Sequence, residues 1–90
     1  MKTISITVSG KVQGVFYRQT TKEKADELGI KGLVKNLPDE TVYIIATGTE
    51  QQLEKLREWC SKGSRKAVVT GIDVRELPLQ EFRSFIIERY

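Results

Sequence analysis

The spacing of apolar residues changes from one stretch of the chain to the next, and the order of these changes constrains the fold more than any other feature. Over residues 3–8, apolar and polar residues alternate, which is typical of a half-buried strand, and we expect Gly10 to end it. Over residues 18–28, apolar positions recur at helical spacing, and Gly29 supplies the left-handed residue that stops a helix. The chain therefore opens with a strand, a loop and a helix.

Two apolar stretches follow, and a short turn separates them. Residues 33–37 and 41–47 are rich in Val, Ile and Leu, which favours strands. Pro38 lies between them and suits the second position of a type I turn, because its ring fixes the φ angle which that position requires. We therefore expect an antiparallel hairpin.

The next stretch predicts a second helix. Thr49 and Gln52 have the spacing of a capping box, which opens a helix, and Gly63 ends it. Trp59 and Cys60 fall on its apolar side. We interpret both as core residues and not as site residues.

Two strands are predicted to close the chain, the first over residues 67–77 and ending at Pro78. The order β-α-β-β-α-β plus a short fifth strand is that of an α+β, ferredoxin-like split βαβ fold, with two helices packed on one face of an antiparallel sheet. Ninety residues provide one core, so we expect a single domain over residues 1–90. The residues that mark the short last strand are Phe82, Phe85, Ile87 and Tyr90.

This topology brings two distant parts of the sequence to one edge of the sheet. The first and second strands run parallel, with the third strand between them. The loop over residues 10–18 leaves the end of the first strand, and Asn36 lies near the corresponding end of the second. Their backbones should therefore be two strand spacings apart, or about 10 Å.

The loop itself reads GKVQGVFYR and has the features of an anion cradle. Gly10 and Gly14 permit backbone angles that let successive N–H groups point at one centre, and the loop leads into a helix N-terminus. Arg18 adds a planar, permanently charged fork for two phosphate oxygens. An ordinary turn and a solvated arginine also fit this stretch, and a turn-stabilising role also fits Asn36.

Composition limits the chemistry available to such a site. The chain has no histidine and one cysteine, which removes the side chains that most zinc sites and most general bases use. A magnesium site of carboxylates alone stays open, although no tight cluster of acidic residues marks one. Any chemistry therefore rests on Arg, Lys, carboxylate, hydroxyl, amide or backbone groups, and we expect no cofactor.

Charge and hydropathy bear on the binding partners and the cellular location of the protein. The net charge of +3 fits an anionic ligand and equally fits a solvated surface, and it is too small to indicate a nucleic-acid partner. No apolar run is long enough to span a membrane, and residues 1–6 lack the apolar block of a secretory signal. We therefore expect a cytoplasmic protein without a membrane partner.

The residues of the loop also resemble a known family. Residues 10–18 are similar to the Gly-x-Val-Gln-Gly-Val-x-aromatic-Arg signature of acylphosphatases. The similarity covers nearly the whole chain and departs from the common family pattern at Phe16, Glu40, Tyr43 and Ser64, none of which is a side chain with an assigned chemical role. The further residues at family spacing are Ala25, Leu28, Gly29, Ile30, Gly32, Val34, Asn36, Gly48, Phe85 and Ile87.

The resemblance implies an enzyme that hydrolyses the carboxyl–phosphate bond of acyl phosphates to a carboxylate and inorganic phosphate, with water attacking phosphorus. It implies a small monomer that needs no metal. The guanidinium of Arg18 is expected to hold the phosphoryl group, and Asn36 to orient the attacking water. The residues whose backbone amides are expected to bind the phosphoryl oxygens are Gln13, Gly14, Val15, Phe16, Tyr17 and Arg18.

Two alternatives from other classes stay open at this point. A catalytically silent anion-binding or regulatory domain would bind phosphate at the same loop without hydrolysing anything. RNA-binding modules share the β-α-β-β-α-β order but place exposed aromatic residues on their central strands. Here the first and third strands offer only Tyr43.

Overall fold

The computed structural model describes residues 1–89 and places them in five strands and two helices. The sheet has the order β4-β1-β3-β2-β5, so β3 lies between the first two strands as predicted. This confirms the α+β, ferredoxin-like arrangement. The elements are β1 (Lys2–Lys11), α1 (Tyr17–Leu28), β2 (Lys31–Asn36), β3 (Val42–Gly48), α2 (Glu50–Lys62), β4 (Val68–Leu77) and β5 (Phe85–Glu88).

One strand pair differs from the predicted antiparallel sheet, because β5 runs parallel to β2. The connection over residues 78–84 crosses the end of the sheet, where the Gln80 carbonyl accepts a hydrogen bond from the Thr47 hydroxyl at 2.8 Å and the Gln80 N–H donates to Thr3 Oγ1 at 2.9 Å. It enters β5 at the end of the sheet where β4 finished. β5 therefore runs opposite to β4 and in the same direction as β2.

The first strand is longer than predicted, since β1 continues past Gly10 to Lys11. A register shift between Ser9 and Gly10 forms a bulge, after which Lys11 pairs with Val68 of β4. Gly10 has a φ angle of 120°, and a Cβ there would lie 2.1 Å from the Val68 carbonyl oxygen. Gly10 therefore allows close approach of β4 and does not end the strand.

The last strand is shorter than predicted. It covers Phe85–Glu88, so Phe82 lies outside it in the preceding connection. Tyr90 lies outside the described residues.

The core lies between the helices and one face of the sheet. Tyr17, Thr21 and Ala25 form the buried side of α1, as the helical spacing predicts. The Tyr17 hydroxyl donates to the Cys60 carbonyl of α2 at 2.8 Å, and its ring centroid lies 5.4 Å from that of Trp59. Cys60 is thus confirmed as a core residue, and Trp59 is half-buried and packs against the core.

The helix ends follow the local sequence signals. Thr49 and Gln52 form the predicted capping box, with both reciprocal hydrogen bonds present. Gly29 adopts the left-handed conformation after α1, and the N–H of Ile30 donates to the Ala25 carbonyl at 2.8 Å. Across residues 1–89, neither the length nor the apolar content of any helix suffices to cross a membrane.

The hairpin between β2 and β3 has the predicted turn. The N–H of Glu40 donates to the Leu37 carbonyl at 3.1 Å, with Pro38 at the second position. Glu40 has a φ angle of 71°, which is the left-handed residue of a three-residue hairpin loop. A glycine at this position would fit this angle without strain.

Candidate active site

The register of the sheet brings Asn36 level with the end of β1. Val42 of β3 pairs with Val8 on one side and with Asn36 on the other. Asn36 and Val8 are therefore two strand spacings apart, or about 10 Å. The loop begins two residues after Val8, so it leaves β1 at the edge of the sheet that carries Asn36, as the topology predicts.

The side chain of Gln13 closes this gap. Its Nε2 donates to the Leu37 carbonyl at 2.9 Å and to the Thr41 carbonyl at 2.8 Å, which are the two ends of the hairpin turn. The loop is thereby fixed to the strand that carries Asn36. The sequence interpretation gave Gln13 a backbone role only, and no local pattern indicates a contact with a turn 24 residues away.

The backbone of the loop is shaped by two left-handed residues. Gly14 has a φ angle of 72° and Phe16 one of 61°, and alternation of left- and right-handed residues makes N–H groups converge on a concave site. Within the part of the chain that the structure describes, no backbone carbonyl accepts from the N–H groups of residues 13–18. These N–H groups are free to bind an anion.

The two helices differ at their N-termini. Thr49 caps α2 with its side chain, whereas Phe16 stands at the N-cap of α1 and makes no side-chain cap hydrogen bond. The free N–H groups of α1 and the positive end of its dipole therefore face the loop without a partner. This is the setting in which helices bind phosphate.

A cleft of about 450 Å³ lies beside the loop. Arg18 is half-buried in its wall, and no carboxylate of residues 1–89 forms an ion pair with it. No acidic residue of the described chain lines the cleft. The predicted site residues that line it are Gly14, Phe16, Tyr17, Arg18 and Asn36.

The other two predicted residues face elsewhere with their side chains. The Gln13 amide is engaged in the hairpin turn. Val15 is buried in the core, and its carbonyl accepts from the Ser64 hydroxyl at 3.0 Å. Each can therefore contribute to an anion site only through its backbone N–H.

Asn36 lines the cleft and carries a buried acceptor. Its side chain lies in the row of β2 that includes buried Val34, on the face that the helices cover. The amide oxygen Oδ1 is buried and accepts no hydrogen bond from residues 1–89. A buried acceptor without a donor is costly, which indicates that a ligand or a water completes it.

Tyr17 also lines the cleft, but its hydroxyl points into the core toward Cys60. Burial raises the pKa of this hydroxyl far above its ordinary value, and the neighbouring Cys60 adds to the effect. Tyr17 is therefore a packing residue and not a proton donor or acceptor for the site.

Four residues that line the cleft were not among the predicted site residues: Val12, Gln19, Ile87 and Arg89. Ile87 and Arg89 follow Phe85 at alternate positions, and Phe85 and Ile87 face the helix-covered side of the sheet. Continuing this alternation by one step would have placed Arg89 at the cleft. The cleft thus has two arginines and suits an anion of more than one negative charge.

Comparison with known proteins identifies relatives over nearly the full length. The family model described as Acylphosphatase matches residues 4–87. An acylphosphatase from Marinobacter nauticus is 53% identical over 81 residues, covering 89% of this chain and 88% of that protein. An acylphosphatase from Methylococcus capsulatus is 44% identical over 90 residues, covering 99% and 98%.

The same family appears among solved structures. The crystal structure of acylphosphatase from Bacillus subtilis matches with a TM-score of 0.95 and 37% identity, covering 98% of this chain and 99% of that one. Sequence and fold therefore agree over nearly the whole chain. The chain belongs to the acylphosphatase family.

Proposed function

We propose that the cleft beside the loop hydrolyses the carboxyl–phosphate bond of acyl phosphates and releases a carboxylate and inorganic phosphate. The observation that carries this proposal is that Asn36, whose Oδ1 is buried and unpartnered among residues 1–89, lines the same cleft as Arg18. Family membership supports an enzyme over both the silent binding domain and the RNA-binding module.

The chemistry suits a site without histidine. The leaving group is a carboxylate whose conjugate acid has a pKa of about 4, so it departs without being protonated. Phosphoryl transfer passes through a loose transition state, which is stabilised mainly by positioning and by charge. Fixed N–H groups and an arginine supply both.

Each group has a defined part in the step. The N–H groups of residues 13–18 and the guanidinium of Arg18 hold the phosphoryl oxygens. The side-chain amide of Asn36 makes a hydrogen bond to the attacking water and turns a lone pair of that water toward phosphorus. The bond between water oxygen and phosphorus forms, the bond to the acyl oxygen breaks with its electron pair, and the water proton passes to a phosphate oxygen.

The substitution Arg18→Ala tests this proposal. We expect kcat/KM for benzoyl phosphate and acetyl phosphate to fall by about 10³-fold or more, because an arginine on the transferred group contributes on that scale. Arg65→Ala is the matched control, since Arg65 is exposed and does not line the cleft. Near-normal turnover by Arg18→Ala, with an unchanged circular-dichroism spectrum, would exclude the assignment.

We propose further that residues 1–90 form one domain, which acts as a monomer in the cytoplasm without a metal, a cofactor or a nucleic-acid partner. The family match over residues 4–87 supports a single domain. Sedimentation equilibrium should give a mass near the 10.3 kDa of one chain. Activity should survive EDTA, and loss of activity that added metal restores would contradict a metal-free reaction.

A further inference from the structure

Phe16 is an exposed aromatic residue in a backbone conformation that aromatic residues rarely adopt. Its φ and ψ angles are 61° and 20°, in the left-handed region, and its side chain is 75% exposed. A residue with a Cβ is disfavoured in this region, whereas glycine is not. Neither backbone preference nor core packing therefore explains a phenylalanine at this position, and such outliers indicate function.

The position of Phe16 in the cleft indicates why a phenylalanine stands there. Phe16 lines the same cleft as Arg18 and Asn36, and Ile87 lines it as well. In an acyl phosphate, only one bridging oxygen separates the phosphorus from the acyl carbon. A substrate whose phosphoryl group lies on the loop therefore carries its acyl group at the rim, within reach of apolar side chains.

We propose that Phe16 determines which acyl group the enzyme prefers, by placing its ring against the acyl substituent of the bound substrate. This inference rests on the proposed function and narrows its substrate class. Contact with an apolar group removes exposed ring surface from water, and an aromatic group adds ring–ring contact. Acyl phosphates with an aromatic acyl group are favoured over those as small as acetyl phosphate.

The ratio of kcat/KM for benzoyl phosphate to kcat/KM for acetyl phosphate tests this inference. A change of the loop that affects both substrates equally cancels in this ratio. Phe16→Gly and Phe16→Asn remove the ring and replace it with residues that tolerate the left-handed conformation. We expect each to lower the ratio by about 3- to 10-fold, the size of a lost aromatic contact.

Two control variants define what the ring contributes. Phe16→Tyr keeps the ring and should keep the wild-type ratio. Gln19→Ala shortens a polar side chain that also lines the cleft and should keep the ratio as well. A ratio that is unchanged in Phe16→Gly and Phe16→Asn, or that falls equally in Phe16→Tyr, would overturn the inference.

A binding measurement separates this inference from the proposed function. Benzylphosphonate and methylphosphonate carry the same anionic group and are not hydrolysed, so calorimetry gives the ratio of their Kd values without turnover. Wild-type protein should prefer benzylphosphonate, and Phe16→Gly should lose that preference by a similar factor. If wild type hydrolyses neither acyl phosphate, the proposed function fails, and the Kd ratio still decides whether Phe16 selects the acyl group.

Discussion

At the scale of single residues, Asn36 shows how activity and stability compete. Its Oδ1 is buried without a donor among residues 1–89. A buried acceptor without a hydrogen bond costs about 1–3 kcal/mol, and residues that bind substrate are often retained at such a cost. If Asn36 instead stabilised the turn, its removal would destabilise the hairpin and lower the free energy of unfolding.

The variant Asn36→Leu distinguishes these roles. We expect kcat to fall by about 10²-fold or more, because the attacking water loses the amide that is proposed to orient it. We expect the free energy of unfolding to rise by about 1 kcal/mol, because the unpaired oxygen is gone. Turnover of benzoyl phosphate and urea denaturation measure the two effects. A clear loss of stability with retained kcat would identify Asn36 as a residue of the turn.

Cys60 gives a prediction for alkaline pH. Burial raises the pKa of its thiol to about 12, whereas an unfolded thiol has a pKa of about 8.5. Because the unfolded chain loses this proton first, the contribution to stability is complete below about pH 8.5 and is lost as the pH rises toward the folded value.

We therefore expect the free energy of unfolding to fall above about pH 8.5, and to fall less steeply in Cys60→Ala. Urea denaturation at about pH 7 and about pH 10 gives the loss of unfolding free energy between these pH values, and this loss is compared between the wild type and Cys60→Ala. Identical pH dependence in the two proteins would mean that the thiol is not protected in the folded state.

At the scale of elements, the side chain of Gln13 fixes the loop to the β2–β3 hairpin. Its two hydrogen bonds reach the carbonyls of Leu37 and Thr41. The loop carries the N–H groups of the site, and β2 carries Asn36. In the proposed mechanism, the geometry between the phosphoryl group and the attacking water therefore depends on a side chain that does not line the cleft.

The variant Gln13→Ala should lower kcat/KM for acetyl phosphate by about 10- to 100-fold, because small displacements of reacting groups have effects of this size. Gln52→Ala is the matched control. It removes a capping hydrogen bond of α2 and should cost about 1 kcal/mol of stability without changing kcat/KM. If Gln13→Ala, like Gln52→Ala, loses stability but keeps its kcat/KM, the position of the loop does not depend on Gln13.

At the scale of the whole molecule, anion binding and folding are linked. The N–H groups at residues 13–18 and the guanidinium of Arg18 converge only when the loop, α1 and β2 are packed together. An anion that binds the folded state alone stabilises it by an amount that grows with its concentration, about 2.7 kcal/mol at 100 times Kd. Stability in the presence of phosphate thus reports on the assembled site.

Inorganic phosphate should raise the thermal midpoint of the wild-type protein and inhibit turnover competitively, because we propose that product and substrate bind the same N–H groups. Arg18→Ala should lose most of this thermal shift, while Arg65→Ala should keep it. Differential scanning fluorimetry with phosphate or with chloride of equal ionic strength measures the shift. An equal shift in wild type and Arg18→Ala would mean that phosphate acts elsewhere.

The sequence by itself determined the order of elements, the helix ends and the edge of the sheet where the site lies. These features depend on local periodicity and on caps such as Thr49, which neighbouring residues specify. Together with the rule that places the third strand between the first two, they bring residues 13–18 and Asn36 together without any knowledge of side-chain contacts.

Only the tertiary structure decided how the site is held and shaped. The contact of Gln13 with the hairpin, the parallel course of β5 and the unpaired Oδ1 of Asn36 depend on residues far apart in the chain. Phe16 could not be predicted from the sequence for another reason. Its left-handed φ angle and exposed ring are the reverse of what a phenylalanine normally adopts. Local patterns cannot specify contacts that packing imposes, and these contacts fix the geometry of the cleft.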